Sequence, residues 1–371
     1  MKKTLLQVDK YLLWNILILL GVGLLVLSSA SSVLSYQRFG NNYYYFFRQL
    51  LFGAIPGLIV MYIFSKIDYH YWQKLAPLMV LAGIGMLVAV LIPGIGFAVG
   101  GARRWIDLGA FLFQPAEFVK LAMVLYLASW YDKRQHHVHN LYYEFLPILA
   151  IVAVVAGLII MEPDMGTMLV LAAIAAVMFF IGGARLRYIF ATAGGGLLVL
   201  WILIKAAPYR AERFLAFMDP SIDAKGISYQ ITQSLLAIGS GGWWGRGFSQ
   251  SLQKHGYLPE PIGDSIFAIL AEEMGFVRVC LVLLLFLFLA YRGFKIARTA
   301  PDTFGKLVAG GITAWLVVQA LINMGGITGV TPLTGIPLTF ISYGSTALTI
   351  SLAAVGIMLN ISRYSALNTD K

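Results

Sequence analysis

Apolar stretches of roughly 17–25 residues recur along this sequence, and that is the length a helix needs to cross the hydrocarbon of a bilayer. They fall near residues 11–33, 49–65, 75–93, 113–131, 144–161, 166–183, 188–204, 265–291, 307–326 and 336–361. The polar remainder could not coat a soluble protein. Charged residues make up 12% of the chain and mean hydropathy is +0.80, against roughly 25% charged in ordinary globular domains. Disorder and nucleic-acid binding are excluded as main roles, despite a formal charge of +10. The 371 residues would fill two soluble domains by length. They read instead as one all-α, polytopic membrane domain, 1–371, with ten transmembrane helices and a long outer segment, 205–263, between spans seven and eight.

The basic residues give an orientation, because short cytoplasmic loops accumulate Lys and Arg. With ten spans both termini share a side. That side holds 15 of the 27 basic residues, against four in the opposite short loops and six in the long segment. Both termini are therefore expected in the cytoplasm. Met1-Lys2-Lys3 before an apolar run resembles a signal peptide, and Ser29-Ala30-Ser31 mimics a cleavage site. With further spans following, an uncleaved first helix is the expectation. Cys280 is the single cysteine, so no internal disulfide forms. His136, His137 and His139 cluster in a cytoplasmic loop. They lack the spacing of a complete ligand set and read as a solvated loop.

The chemistry is expected on the outer side. Gly100-Gly101-Ala102-Arg103-Arg104-Trp105 opposes the positive-inside trend with two arginines. Paired guanidiniums beside glycine suit a phosphate; headgroup contact with Trp105 as anchor suits the residues as well. In Gln114-Pro115-Ala116-Glu117-Phe118-Val119-Lys120 the proline fits a first helical turn, and Glu117 and Lys120 lie on one face. The pair is either self-satisfied or, as ionisable groups at a span, functional. Glu162-Pro163-Asp164 either caps the next helix or offers two carboxylates to a cation.

Within the long segment, Tyr229 to Ile238 reads as an amphipathic surface helix. Gly239 to Gly247 holds five glycines, which suit close backbone approach to a ligand or plain flexibility. It lacks the lysine of a P-loop. Asp264 follows Tyr257-Leu258-Pro259-Glu260 and is a natural N-cap for span eight. Continued as a helix, Ala268, Ala271 and Gly275 would fall within about 40° of Asp264, leaving room beneath the carboxylate. Glu272, Glu273 and Arg278 on the same span must face protein or water. The uncharged, Gly- and Pro-rich connection from Asn323 to Pro337, followed by Ser342-Tyr343-Gly344-Ser345-Thr346, reads as an irregular stretch lining a cavity. Together these residues suit a phosphorylated, lipid-borne substrate handled on the outer side.

The segments Gly101 to Ile106, Gln114 to Lys120, Pro163 to Thr167, Tyr229 to Gly247, Tyr257 to Gly275 and Pro332 to Gly344 together resemble one family, the shape, elongation, division and sporulation (SEDS) proteins. The likeness runs along almost the whole chain. At Phe46-Phe47-Arg48-Gln49 it is closer to FtsW-type than to RodA-type members. The resemblance implies an inverting peptidoglycan glycosyltransferase of the bacterial cytoplasmic membrane. Such a protein polymerises lipid II on the outer leaflet beside a class B penicillin-binding protein. It implies Asp264 as general base on the acceptor 4-hydroxyl. Arg103, Arg104 and Lys120, paired with Glu117, would then steady the departing diphosphate, with Arg210 and Lys254 as further candidates. No cofactor is implied, and a divalent cation stays open. The sequence departs from the family pattern at Gly263 and Ser265, usually Thr and Phe, at Thr339, often Pro, and at Ser345, Thr346 and Ala347, usually a glycine and two serines. A transporter flipping a polyprenyl lipid and a scaffold for a partner synthase are the rival functions.

Overall fold

The computed structural model describes residues 8–99, 102–109, 111–134, 146–206, 217–218 and 227–365. The first part of the chain forms α1 (Lys10–Ala30), α2 (Ser32–Phe39) and α3 (Tyr44–Gln49). A π-helical turn, Leu50–Ala54, then leads into α4 (Ile55–Lys66) and α5 (His70–Leu91). A small sheet follows: β1 (Gly96–Val99), β2 (Ala102–Asp107) and β3 (Leu112–Phe113). The rest is helical: α6 (Pro115–Lys133), α7 (Leu146–Met161), α8 (Met165–Ile181), α9 (Leu186–Ala206), α10 (Ile227–Gly241), α11 (Ile266–Thr299), α12 (Thr303–Ile327) and α13 (Ser345–Tyr364). Six helices are long and apolar enough to cross a membrane among the described residues, and α7 and α8 are shorter apolar helices. The histidine cluster and Arg210 lie outside the described residues.

The helix ends follow local chemistry. Asp9 caps α1 through Leu12 N–H at 3.0 Å, and Asp302 caps α12 through Gly305 N–H at 2.7 Å. Pro115 opens α6, where its missing N–H costs nothing. Many α1 residues are buried, and Ser29 touches Glu273 at 2.6 Å, so this helix is part of the core. The central element is α12, buried on nearly all faces, with Trp315 fully enclosed. Buried on nearly every side, such a helix has no solvent stripe.

Three expectations need amendment. The fold is mostly helical rather than all-α, because the stretch between α5 and α6 pairs as an antiparallel sheet in the order β1-β2-β3. Its register passes from Phe97↔Trp105 to Ala98↔Arg103. Arg104 is thus the extra residue of a bulge, which re-aims side chains. The tenth apolar stretch becomes helical only at Ser345, since Pro332, Gly335 and Pro337 cannot sustain a helix before it. And α11 breaks at Gly275, whose φ of 77° is left-handed.

That break explains the glycine-rich segment. It approaches a backbone closely, but the backbone is this chain's own. Arg246 N–H and Gly247 N–H donate to the carbonyls of Glu272 and Glu273 at 2.9 and 3.1 Å. Phe276 N–H and Val277 N–H donate to those of Gly242 and Trp243 at 2.9 and 3.2 Å. The four groups freed by the kink are thereby paired again, as buried backbone polar groups require. A Cβ on Gly275 would come within 2.1 Å of Gly245 N, and one on Gly245 within 2.2 Å of the Glu273 carbonyl.

Candidate active site

Asp264 is not an N-cap. Helix α11 starts two residues on, at Ile266, with Ser265 as an N-cap that makes no side-chain capping bond. The face predicted from Asp264 through Gly275 therefore fails at both ends: Asp264 precedes the helix and Gly275 breaks it. What holds Asp264 instead is its backbone. Three successive carbonyls accept hydrogen bonds from three sources: Ile262 from Tyr343 N–H at 2.9 Å, Gly263 from Ser342 Oγ at 2.6 Å, and Asp264 from Asn323 Nδ2 at 2.8 Å. The half-buried Asp264 carboxylate accepts from Gln230 Nε2 at 3.3 Å, and the same amide reaches Ser265 Oγ at 2.9 Å. Gln230 lies on α10, whose Ser228, Ile231, Ser234 and Ala237 are buried, so this amphipathic helix leans on the fold.

Helix α12 carries a polar stripe at Trp315, Gln319 and Asn323, spaced by four residues and so on one face. Asn323 Nδ2 also reaches the Ile336 carbonyl at 2.8 Å. One turn back, Gln319 Oε1 accepts from Lys120 Nζ at 2.7 Å and from Trp315 Nε1 at 2.9 Å. Lys120 Nζ lies 2.8 Å from Glu117 Oε1 and 5.2 Å from the Trp315 ring centroid. Both charged side chains are 1% exposed. The pair is thus deeply enclosed, and α12 connects it to the backbone of Asp264. Glu117 Oε2 is buried without a hydrogen-bond partner among the described residues.

The paired arginines separate. Arg103 is exposed on β2. Arg104 turns towards the α7–α8 corner: its Nε donates to the Glu162 carbonyl at 3.0 Å, and its Nη2 to that of Pro163. In that corner Asp164 is the cap, accepting from Thr167 N–H at 3.0 Å and Thr167 Oγ1 at 2.9 Å. Glu162 does not cap. It is 1% exposed, and neither carboxylate oxygen has a partner among the described residues. Burial, with Asp164 adding to it and Arg104 opposing, pushes its carboxyl from the ordinary 4.5 up to about 8.

Lys254 is held differently from what the sequence suggests. Its ammonium is buried and donates to Ser29 Oγ, the Ser249 carbonyl, Ser249 Oγ and Glu273 Oε1, all within 2.9–3.1 Å. Its three protons are committed, which leaves none for a substrate phosphate. Glu272 accepts from Ser251 Oγ at 2.5 Å and Leu252 N–H at 2.9 Å. The two glutamates clamp the outer loop onto α11. Among the described residues, no group of three or more His, Cys, Asp or Glu is placed to hold a metal ion.

Sequence reasoning did not single out Gln230, Gln319 or Gln49. The signal was available for Gln319 and Asn323, two amides four residues apart on an otherwise apolar span. Gln49 entered only as part of the family-like stretch Phe46 to Gln49, and its role was hidden because its partners lie almost 300 residues away.

Comparison with known proteins gives concordant matches. The FTSW_RODA_SPOVE family, described as cell cycle protein, matches residues 10–367. The chain is 44% identical to stage V sporulation protein E of Bacillus subtilis, covering 94% of this chain and 95% of that protein. It is 40% identical to a probable peptidoglycan glycosyltransferase FtsW of Trichlorobacter lovleyi, covering 96% and 93%. A solved structure described as structural coordination of polymerization and crosslinking by a peptidoglycan synthase complex superposes with a TM-score of 0.79 at 26% identity, covering 96% and 98%. The rod shape determining protein RodA of Thermus thermophilus gives 0.70 at 26% identity, covering 97% and 98%.

Proposed function

The chain belongs to the FtsW, RodA and SpoVE family of cell cycle proteins, and from that membership we propose how its geometry performs glycan polymerisation. It is a multi-pass membrane protein and a peptidoglycan glycosyltransferase. Our reading is that all ten apolar helices span the membrane as one domain, with both termini cytoplasmic and 205–263 outside. The substrate is lipid II on the outer leaflet, and a class B penicillin-binding protein crosslinks the product.

In this mechanism the Asp264 carboxylate takes the proton of the acceptor 4-hydroxyl. The freed oxygen pair attacks the anomeric carbon of the lipid-linked donor. The bond from that carbon to the diphosphate oxygen breaks on the opposite face, and undecaprenyl diphosphate leaves with its electrons. One base with no covalent intermediate inverts the anomeric centre, as in the analogous hydrolases. Arg103, exposed on its strand, is the preferred contact for the growing negative charge. Arg210 joins it by the family resemblance. Arg104 and the Glu117–Lys120 pair support the site from behind. Lys254 we assign to the loop clamp.

The observation that carries this reading is the pinning of three consecutive carbonyls around one half-buried carboxylate. A general base must be held in place to act. The test is polymerisation of labelled lipid II by the purified full-length chain and by Asp264→Asn. General-base catalysis contributes about 10²- to 10⁴-fold, so glycan product should drop by that factor. Unchanged product in Asp264→Asn would remove the base, and lipid movement across vesicles without polymer would favour a transporter.

A further inference from the structure

Gln49 is 2% exposed and lies at the end of α3, immediately before the π-helical turn. Such π-helical insertions recur at functional sites. Its side-chain amide is used at both ends. Oε1 accepts from Gly344 N–H at 3.0 Å, and Nε2 donates to the Ser342 carbonyl at 3.4 Å. Those two groups flank Tyr343 on one edge of a short non-helical segment. A single amide thus pairs with that edge as a neighbouring strand would.

The opposite edge of the same segment faces Asp264. Tyr343 N–H donates to Ile262 O, and Ser342 Oγ donates to Gly263 O while accepting from Leu338 N–H at 2.8 Å. The 342–344 segment therefore stands between Gln49 and the two residues that precede Asp264, bonded to each side. It is also pressed from behind. A Cβ on Gly23 would meet the Phe340 carbonyl at 2.2 Å, and one on Gly53, within the π turn, would meet Ser345 Cα at 3.2 Å.

We infer that Gln49 is a positioning residue for Asp264, acting through the 342–344 segment without touching substrate. The inference rests on Asp264 being the base. Removing the amide frees one edge of the segment and lets the carboxylate shift. A misplacement of about 1 Å costs on the order of 100-fold in rate.

The experiment uses the purified full-length chain with labelled lipid II. Gln49→Met keeps the side-chain volume and removes both hydrogen bonds; Gln49→Glu keeps an acceptor for Gly344 N–H and loses the donor. We expect kcat to fall about 10- to 100-fold in Gln49→Met, with KM for lipid II and the thermal midpoint nearly unchanged, and a smaller fall in Gln49→Glu. We also expect Gln49→Met and Ser342→Ala to be non-additive in kcat, because both act through one segment. Full kcat in Gln49→Met, a loss carried by KM, additive effects with Ser342→Ala, or a loss that only tracks a lowered thermal midpoint would each overturn the inference. Asp264→Asn, run alongside, separates the two readings. If it is inactive while Gln49→Met is normal, the positioning role alone fails; if it polymerises normally, the base assignment fails.

Discussion

The loop clamp on α11 and the corner between α7 and α8 both bury carboxylates, and they treat them in opposite ways. In the clamp, Glu272 and Glu273 receive hydrogen bonds from backbone amides, serines and the Lys254 ammonium. In the corner, Glu162 is as deeply buried, yet both its oxygens lack partners among the described residues. Arg104 is near enough to bond the Glu162 carbonyl and bypasses the carboxylate. An unmet buried charge is costly, so the corner pushes its carboxyl towards the protonated form, while the clamp meets its carboxylates with hydrogen bonds and the Lys254 ammonium. A saturated network is architecture. An unsaturated one keeps hydrogen-bonding capacity in hand beside the strand that presents Arg103.

The strongest way to break this contrast is to open the clamp. Glu273→Ala leaves the Lys254 ammonium buried without its counter-charge, which costs about 3 to 5 kcal/mol. Its thermal midpoint in detergent should fall sharply. The double variant Lys254→Met with Glu273→Leu should recover most of the loss, because both charges leave together. Polymerisation per folded molecule by the double variant should stay near the parent's. If Lys254 instead served the substrate, the double variant would be stable and inactive.

The corner gives a smaller effect with a distinctive pH signature. Glu162 ionises near pH 4.5 when the chain is unfolded and near 8 in the fold. Between those values the folded protein holds a proton that the unfolded chain has released. Stability from this group is therefore complete below about 4.5 and falls as pH rises, until it is lost above about 8. Glu162→Gln carries no charge at any pH. Its stability relative to the parent should climb across that window, by about 2 to 4 kcal/mol at pH 9. Thermal melts of the two proteins from pH 5 to 9 measure it. A constant difference would mean that Glu162 is ionised throughout, as a bound cation would make it.

Much of the helical plan was legible because apolar length and helix ends are local properties. The proline at the start of α6 and the glutamate in its first turn follow from the sequence. The site was legible only in part. Lys254 looked available because the sequence cannot reveal that Ser29 and Glu273 surround it. The glycines from 239 to 247 announced close approach correctly but not to what, since their partner is a kink in α11. Gln49 matters through bonds to residues far along the chain, and no periodicity records those. The bulge at Arg104 was hidden too, because two adjacent arginines look equivalent until one is displaced from the ladder.

The finest test of the contrast concerns Gly263, where the family pattern carries threonine. If the position of Asp264 is set by backbone hydrogen bonds, the side chain next to it should matter little. The Gly263 carbonyl is held by Ser342, and a Cβ on Gly263 would lie 3.6 Å from Glu260 Oε2 and 3.8 Å from Glu260 Cβ, ordinary contact distances. Gly263 is also absent from the residues with positive φ, so a β-branched side chain meets no backbone penalty there. Gly263→Thr should change stability by no more than about 0.5 kcal/mol and leave polymerisation within a few-fold of the parent. A large gain in kcat would mean that the threonine hydroxyl itself serves the base. Catalysis would then depend on a side chain this protein lacks, and the pinned backbone would be insufficient to set the rate.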